Sequence, residues 1–383
     1  MAARKIEAWH RAGLIDAATR DRLIAHEAEH ARPLLLWAAF GLGALAIALG
    51  LVSVIAANWE EIPGALRLAV HLALIAGALG ALLLREQRLA EASPWAVEAL
   101  VFVAAALGLT FFGHLGQVYQ TGSPLWQPLA AWLVLFAPLL LLTGRGWPTA
   151  LGLFGGALWC AWDYAAAATS TGLLRDFPVG WLVWLALVVA APVLFAPLAA
   201  TARRRSRRGE FWRRLEQAAL AYAVGGASAA CAVASAGGFG TSGAAGEWAS
   251  LVTITATGCL AGAGVARARS DVSGRMAGAI IAGAGLAVLL AYGVNGLTVP
   301  AAALFMALWA GAGAAALRAA WRGVFQLAVA AMALRLIILS FELAGDLLTS
   351  GFGLILAGLM ILGVAWGAVR VLRRFSPREE GAA

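Results

Sequence analysis

The chain has 383 residues, of which 62% are apolar and only 13% charged, with a mean hydropathy of +0.83. Soluble globular chains sit near half apolar and about a quarter charged, so a water-soluble fold is excluded and an all-α polytopic membrane helix bundle is expected. The formal net charge of +8 would suit nucleic acid if the basic residues formed one patch, but they lie dispersed between apolar runs. That pattern removes nucleic acid as a partner and names the lipid bilayer instead.

Residues 1–32 are polar and charged, with no cleavable leader in view, so the first span is expected to direct insertion itself. They read as a short amphipathic cytoplasmic hairpin. Ile6 and Trp9 begin an apolar stripe, Gly13 ends the first helix, Asp16 caps the second, and Leu23 and Ile24 continue the stripe. Inside it, His26-Glu27-Ala28-Glu29-His30 satisfies the H-E-x-x-H pattern, in which two histidines one turn apart hold zinc and the glutamate acts as base. The segment is only a prelude to the first span and finds no third ligand on its side of the membrane. His26, Glu27 and His30 are therefore read as a solvated helix face, with no metal and no cofactor assigned.

Apolar runs of spanning length fall at about 34–57, 64–84, 95–112, 126–142, 149–168, 180–200, 218–238, 248–266, 276–294, 297–317, 323–340 and 352–369. At ~20 residues per span this gives about twelve helices. If the count is right, alternate loops should carry the positive charge, and they do. The amino-terminal segment, the loops near 85–94, 144–148, 201–216, 267–275 and 318–322, and the tail hold all but three of the 28 Lys and Arg. The exceptions are Arg67, Arg175 and Arg335. This phase places both termini in the cytoplasm of a bacterial inner membrane. The arginine-rich 201–216 loop then divides a first six-span half, 33–200, from a second, 217–371, with a tail at 372–383. Such a division resembles a major-facilitator-type transporter. The signature loop of that family is missing, because the loop after the second span reads Arg85-Glu86-Gln87-Arg88-Leu89-Ala90-Glu91.

The costly residues define the candidate sites. Asn58-Trp59-Glu60-Glu61-Ile62-Pro63 forms an external turn, and Arg67 and His71 follow one turn apart on the next span. They serve either as an anchoring ion pair with Glu60 or Glu61, or as part of a ligand path. The segment Gly113 to Pro124, with His114, Gln117, Tyr119 and Gln120, is rich in hydrogen-bonding side chains and punctuated by Gly and Pro. It reads as either a plain loop or a re-entrant binding segment. Arg335, Glu342 and Asp346 share one face of the eleventh span, which should point into the bundle because an arginine facing lipid is expensive. Glu98 and Asp163 are weaker features, read as packing or interface residues. Cys160, Cys231 and Cys259 lie in apolar runs without CxxC spacing and are read as small packing residues.

Trp9 with Gly13-Leu14-Ile15, Ala56-Ala57-Asn58-Trp59 with Ile62-Pro63 and Arg67, and Gly116-Gln117-Val118-Tyr119-Gln120-Thr121-Gly122 resemble the bacterial membrane family catalogued as domain of unknown function 2157, over about residues 1–145. Arg335-Leu336, Phe341-Glu342-Leu343 and Gly351-Phe352-Gly353-Leu354 are similar to its extended members. The resemblance implies a membrane topology and no reaction, and the family pattern lacks H-E-x-x-H. The leading expectation is a non-enzymatic protein that binds or transports a small polar or anionic ligand on the outer half, through Asn58, Trp59, Arg67, His71, His114, Gln117, Tyr119, Gln120, Arg335, Glu342 and Asp346. The alternatives are a sensor or scaffold acting through the amino-terminal hairpin and, third, an intramembrane envelope enzyme. No feature of the sequence specifies an oligomeric state.

Overall fold

The computed structural model describes residues 2–29, 62–92, 94–170, 178–239, 245–343 and scattered positions between 355 and 371. Its internal packing divides the chain into two units, Met1–Arg67 and Leu68–Ala383. All regular structure among the described residues is helical.

In the first unit, α1 (Ala2–Arg11) and α2 (Ala17–Glu29) form the expected hairpin. Gly13 takes φ 73°, a left-handed conformation that costs glycine little, and the Leu14 N–H reaches back to the Trp9 carbonyl at 3.0 Å. Asp16 caps α2, accepting from the Thr19 N–H at 2.8 Å. Ile6 is buried, whereas Trp9 remains 46% and Leu14 71% exposed.

The long helices follow in order: α3 (Gly64–Ala92), α4 (Pro94–Tyr119), α5 (Trp126–Thr143) and α6 (Trp147–Ser170). Next come α7 (Pro178–Ala190) and α8 (Phe195–Arg205), joined by a 3₁₀ turn at Ala191–Leu194. Pro192 and Pro197 each lack the N–H an α-helix needs there, which accounts for that break. The chain continues through α9 (Gly209–Ser235), α10 (Ala245–Ala268), α11 (Val272–Gly293), α12 (Thr298–Arg318) and α13 (Arg322–Leu343). Nine helices among the described residues are long and apolar enough to cross a membrane, with α7, its 3₁₀ turn and α8 counting as one. The 24-residue α6 also has the length, but Trp residues and Asp163 dilute its apolar character. Each expected span from 64–84 to 323–340 coincides with one of these helices. The spans expected at 34–57 and, for the most part, 352–369 lie outside the described residues.

Two expected loops turn out to be helix. Residues 85–92 extend α3, because Arg, Glu, Gln, Leu and Ala all favour helix. Residues 113–119 extend α4, so the re-entrant reading of that segment is corrected: isolated Gly113 and Gly116 are not enough to break the helix, which ends only where Gln120 takes φ 51°. The Thr121 N–H closes that end on the Gly116 carbonyl at 3.1 Å.

The bundle is held in two styles. Between α4, α5 and α6, aromatic rings seat on glycine: Phe136 fills the space where Gly108 lacks a Cβ, Trp132 does so at Gly156, and Trp132 Nε1 donates to the Ala105 carbonyl at 2.8 Å. Between α10 and α11 the backbones themselves touch. A Cβ on Gly258 would lie 3.0 Å from the Gly285 Cα, and one on Gly262 would collide with the Gly278 carbonyl.

Candidate functional site

His71 lies on the early turns of α3 and His114 near the end of α4, and the antiparallel run of the two helices brings the rings together. Their Nδ1 atoms are 3.3 Å apart. His71 Nε2 is 2.9 Å from the Leu107 carbonyl oxygen. A carbonyl can only accept, so this nitrogen carries a hydrogen and donates it. The Thr110 hydroxyl donates to the Ala106 carbonyl at 3.0 Å, and its oxygen lies 3.4 Å from the same nitrogen. Phe111 meets the His71 ring edge-on at 5.5 Å. Among the described residues, no hydrogen bond joins Gln117, Tyr119 or Gln120 to the pair. Gln117, Tyr119 and Gln120 are exposed. Arg67 Nε donates to the Ile62 carbonyl at 2.8 Å. Asn58, Trp59 and Asp346 lie outside the described residues.

The second set sits between α9 and α13. Arg335, 6% exposed, pairs through Nη1 with Glu342 Oε1 at 2.9 Å, two turns further along its own helix. Its Nη2 donates to Ser235 Oγ at 2.7 Å, and Ser235 in turn donates to Glu342 Oε2 at 3.3 Å. Three side chains thus close a ring of hydrogen bonds around a buried guanidinium. The spacing of Arg335 and Glu342 announces their shared face, whereas Ser235, a hundred residues away at the end of α9, is supplied only by the fold.

A third polar region includes Glu98 and Asp163, which the sequence marks only as packing or interface residues. Glu98, 2% exposed, accepts from the Arg145 N–H at 2.8 Å, the Thr149 N–H at 3.0 Å and the Thr149 hydroxyl at 2.7 Å. These donors belong to the first turn of α6 and the turn before it, so the carboxylate answers the positive end of that helix dipole. Asp163 does the same for α5, accepting from the Trp126 N–H at 2.7 Å. Glu216, also buried, binds Arg269 at 2.6 Å and Arg203 at 3.5 Å. Arg145 meets Glu86 at 3.0 Å, Arg208 donates to the Gly144 carbonyl at 3.0 Å, and Arg204 donates to the Ala268 carbonyl at 2.9 Å. The arginine-bearing segments near 85–94, 144–148, 201–216 and 267–275 therefore meet at one end of the bundle, as the alternation of charge along the chain requires. A glutamate within an apolar run beside an arginine-rich segment is the sequence signal for Glu216. Glu98 carries no such signal, because its donors are mostly backbone.

The cavities lie elsewhere. One of about 320 Å³ runs between α11 and α12, past Ile280, Gly283, Leu304 and Gly311. A shallower one of about 610 Å³ lies between Phe102 and Val103 on α4 and Leu151 and Gly152 on α6. Both are apolar, and neither is lined by His71, His114, Arg335 or Glu342. Among the described residues no three His, Cys, Asp or Glu side chains are grouped to hold a metal. His26 and Glu27 fall on α2, and His30 lies outside the described residues.

Residues 7–149 match the family described as Predicted membrane protein (DUF2157). The DUF2157 region takes in the second half of α1, α2 to α5 and the start of α6, and with them His71, His114, Glu98 and Arg145. Arg335, Glu342 and Ser235 lie beyond it. The description of DUF2157 gives a membrane setting and no activity. No curated protein and no solved structure matches the chain.

Proposed function

We propose that this membrane protein binds or transports a small polar or anionic ligand through a site at the outer end of α3 and α4. The observation that carries this reading is the contact of His71 with His114: two ionisable side chains from adjacent helices meet within apolar segments, where such groups are expensive to keep and serve binding by default. Gln117, Tyr119 and Gln120 fall at the same end of α4 as His114, and the reading takes Asn58, Trp59 and Arg67 as further ligand contacts expected from the sequence. Arg335, Glu342 and Asp346 extend the polar residues of that side into the second half. The same topology sets the arginine-bearing end and both termini in the cytoplasm of a bacterial inner membrane, with 201–216 joining two six-span halves.

The test uses the full chain in lipid nanodiscs, with thermal unfolding followed by tryptophan fluorescence during titration with phosphate, sulfate, acetate and glutamate. A saturable rise in the unfolding midpoint is expected with at least one of the four and is lost in the His71→Gln, His114→Gln double variant. A flat response to all four, or an equal response in the variant, overturns the site.

A separate observation favours a second reading, a sensor or scaffold that works through its amino-terminal hairpin. Met1–Arg67 forms its own compact unit, and Trp9 and Leu14 stay exposed on it. Deleting residues 1–31 distinguishes the two: a binding protein keeps both its ligand response and its cellular phenotype, whereas a sensor loses the phenotype.

A further inference from the structure

The glycines of α11 meet their neighbours in two ways. Those facing α10 are closed by backbone: a Cβ on Gly278 would collide with the Gly262 carbonyl, and one on Gly285 would lie 3.2 Å from the Gly258 Cα. Gly283 lines the side turned to α12, and no atom lies within 4 Å of where its Cβ would stand. The same is true of Gly311 on the opposite wall. These open positions belong to the apolar groove of about 320 Å³ between the two helices. The groove runs from Ala279 and Ala315 to Leu290 and Leu304, ~16 Å along either helix. The hydrocarbon of one bilayer leaflet, half of a core about 30 Å thick, has that depth.

Both walls continue into an arginine at the same end. Arg275 stands one turn before Ala279 and two before Gly283, and Arg318 lies three residues beyond Ala315 and seven beyond Gly311. Those spacings keep each arginine on the helix face that lines the groove. Both side chains are exposed, and neither guanidinium has a partner among the described residues. The nearest acid along the chain, Asp271, is engaged by Arg269 at 3.2 Å. Two uncompensated cations thus stand at the end of an apolar groove one leaflet deep.

We infer that this groove holds one acyl chain of an anionic phospholipid from the leaflet on the arginine-bearing side, with the headgroup phosphate bound by Arg275 and Arg318. The chain supplies contacts that the walls lack at Gly283 and Gly311. Each guanidinium offers a planar fork of N–H donors suited to phosphate oxygens, and basic pockets between membrane helices recognise anionic headgroups in this way. A helix of another chain seated in the groove would cover its apolar walls but leave the two charges unanswered. The site is separate from the histidine pair and does not depend on it.

The test uses the full chain in dodecyl maltoside, with bound lipid counted by native mass spectrometry. The protein is titrated with phosphatidylglycerol, which is anionic, and with phosphatidylcholine, which carries the same chains and no net charge. One phosphatidylglycerol is expected to bind about ten- to thirtyfold more tightly than phosphatidylcholine, the effect of two cations beside the headgroup. The double variant Arg275→Gln, Arg318→Gln should lose that preference, while Arg275→Lys, Arg318→Lys should keep most of it. Gly311→Leu, which fills open space, should weaken binding of both lipids. Equal affinity of the unaltered protein for the two lipids overturns the site without recourse to any variant, as does an unchanged preference in the glutamine variant. Unchanged binding in Gly311→Leu overturns the groove as the seat of the chain. Inorganic phosphate that binds as tightly as phosphatidylglycerol overturns the lipid as ligand. A dimer of the chain that Gly311→Leu splits into monomers would assign the groove to a second copy and overturn it as a lipid site.

Discussion

Arg335 and the His71–His114 pair are both ionisable groups set in apolar helices, yet they are settled in different ways. Arg335 is closed off: Glu342 cancels its charge, Ser235 completes the ring, and the guanidinium is 6% exposed. The histidines are half-buried and meet each other and the Leu107 carbonyl. The difference separates a polar group that holds two helices together from one with chemistry to spare. The sharpest way to break the comparison is Glu342→Leu, which strands the guanidinium with Ser235 alone. Removing one partner of a buried pair costs about 3–5 kcal/mol. The lower end applies here, because Glu342 is itself one-third exposed and Ser235 remains. Denaturation in mixed micelles reads this loss. The double variant Arg335→Leu, Glu342→Leu should recover most of it, since the uncompensated charge is then gone. If the double variant is no better than the single one, Arg335 does more than answer Glu342.

The next effect in size falls at the arginine-bearing end, where Glu98 is closed off like Arg335 but by backbone. Glu98→Gln removes the charge at the start of α6 and turns its amide NH2, which cannot accept, towards either the Arg145 N–H or the Thr149 donors. The loss should be about 2 kcal/mol in the same denaturation assay, in line with hydrogen bonds to a charged group. Loss of the carboxylate should also speed amide exchange at Arg145 and Thr149, whose N–H groups it holds. Unchanged exchange there would mean that Gly144 and Gly146 keep the turn unaided.

The two kinds of site differ in how much of them could be read from the chain. Apolar runs and alternating arginines were enough to place ten helices and to bring four basic segments to one end, because membrane insertion sorts residues by simple transfer energies. The i, i+7 spacing announced Arg335 with Glu342. The partners that close each site were not legible: Ser235 and the first turn of α6 come from distant helices, and a backbone N–H has no letter in the sequence. Helix ends were misjudged where hydropathy fell but helix propensity did not, as at residues 85–92 and 113–119. Polar side chains signalled a loop there, although the backbone had no reason to leave the helix until Gln120.

On the histidine side, His71→Gln should cost under about 1 kcal/mol in stability, because a neutral hydrogen bond to Leu107 is exchanged for another neutral one. A stability loss as large as that of Glu342→Leu would place the histidines with the structural group and dissolve the contrast between the two sites.

The smallest effect belongs to Asp16, where the same question is posed at an exposed surface. The Thr19 hydroxyl and backbone N–H hold its carboxyl below the usual carboxylate range. With the folded value depressed, the capping contribution is present above the unfolded value near ~3.9 and is lost as pH falls through the folded one. Amide protection across α2 should therefore drop between about pH 5 and pH 2, with the long helices unaffected. Asn caps a helix about as well as Asp but does not titrate in this range. Asp16→Asn should accordingly keep protection in α2 near its neutral-pH level while abolishing the pH dependence, and a variant that still loses protection in acid would assign the effect to another group in the hairpin.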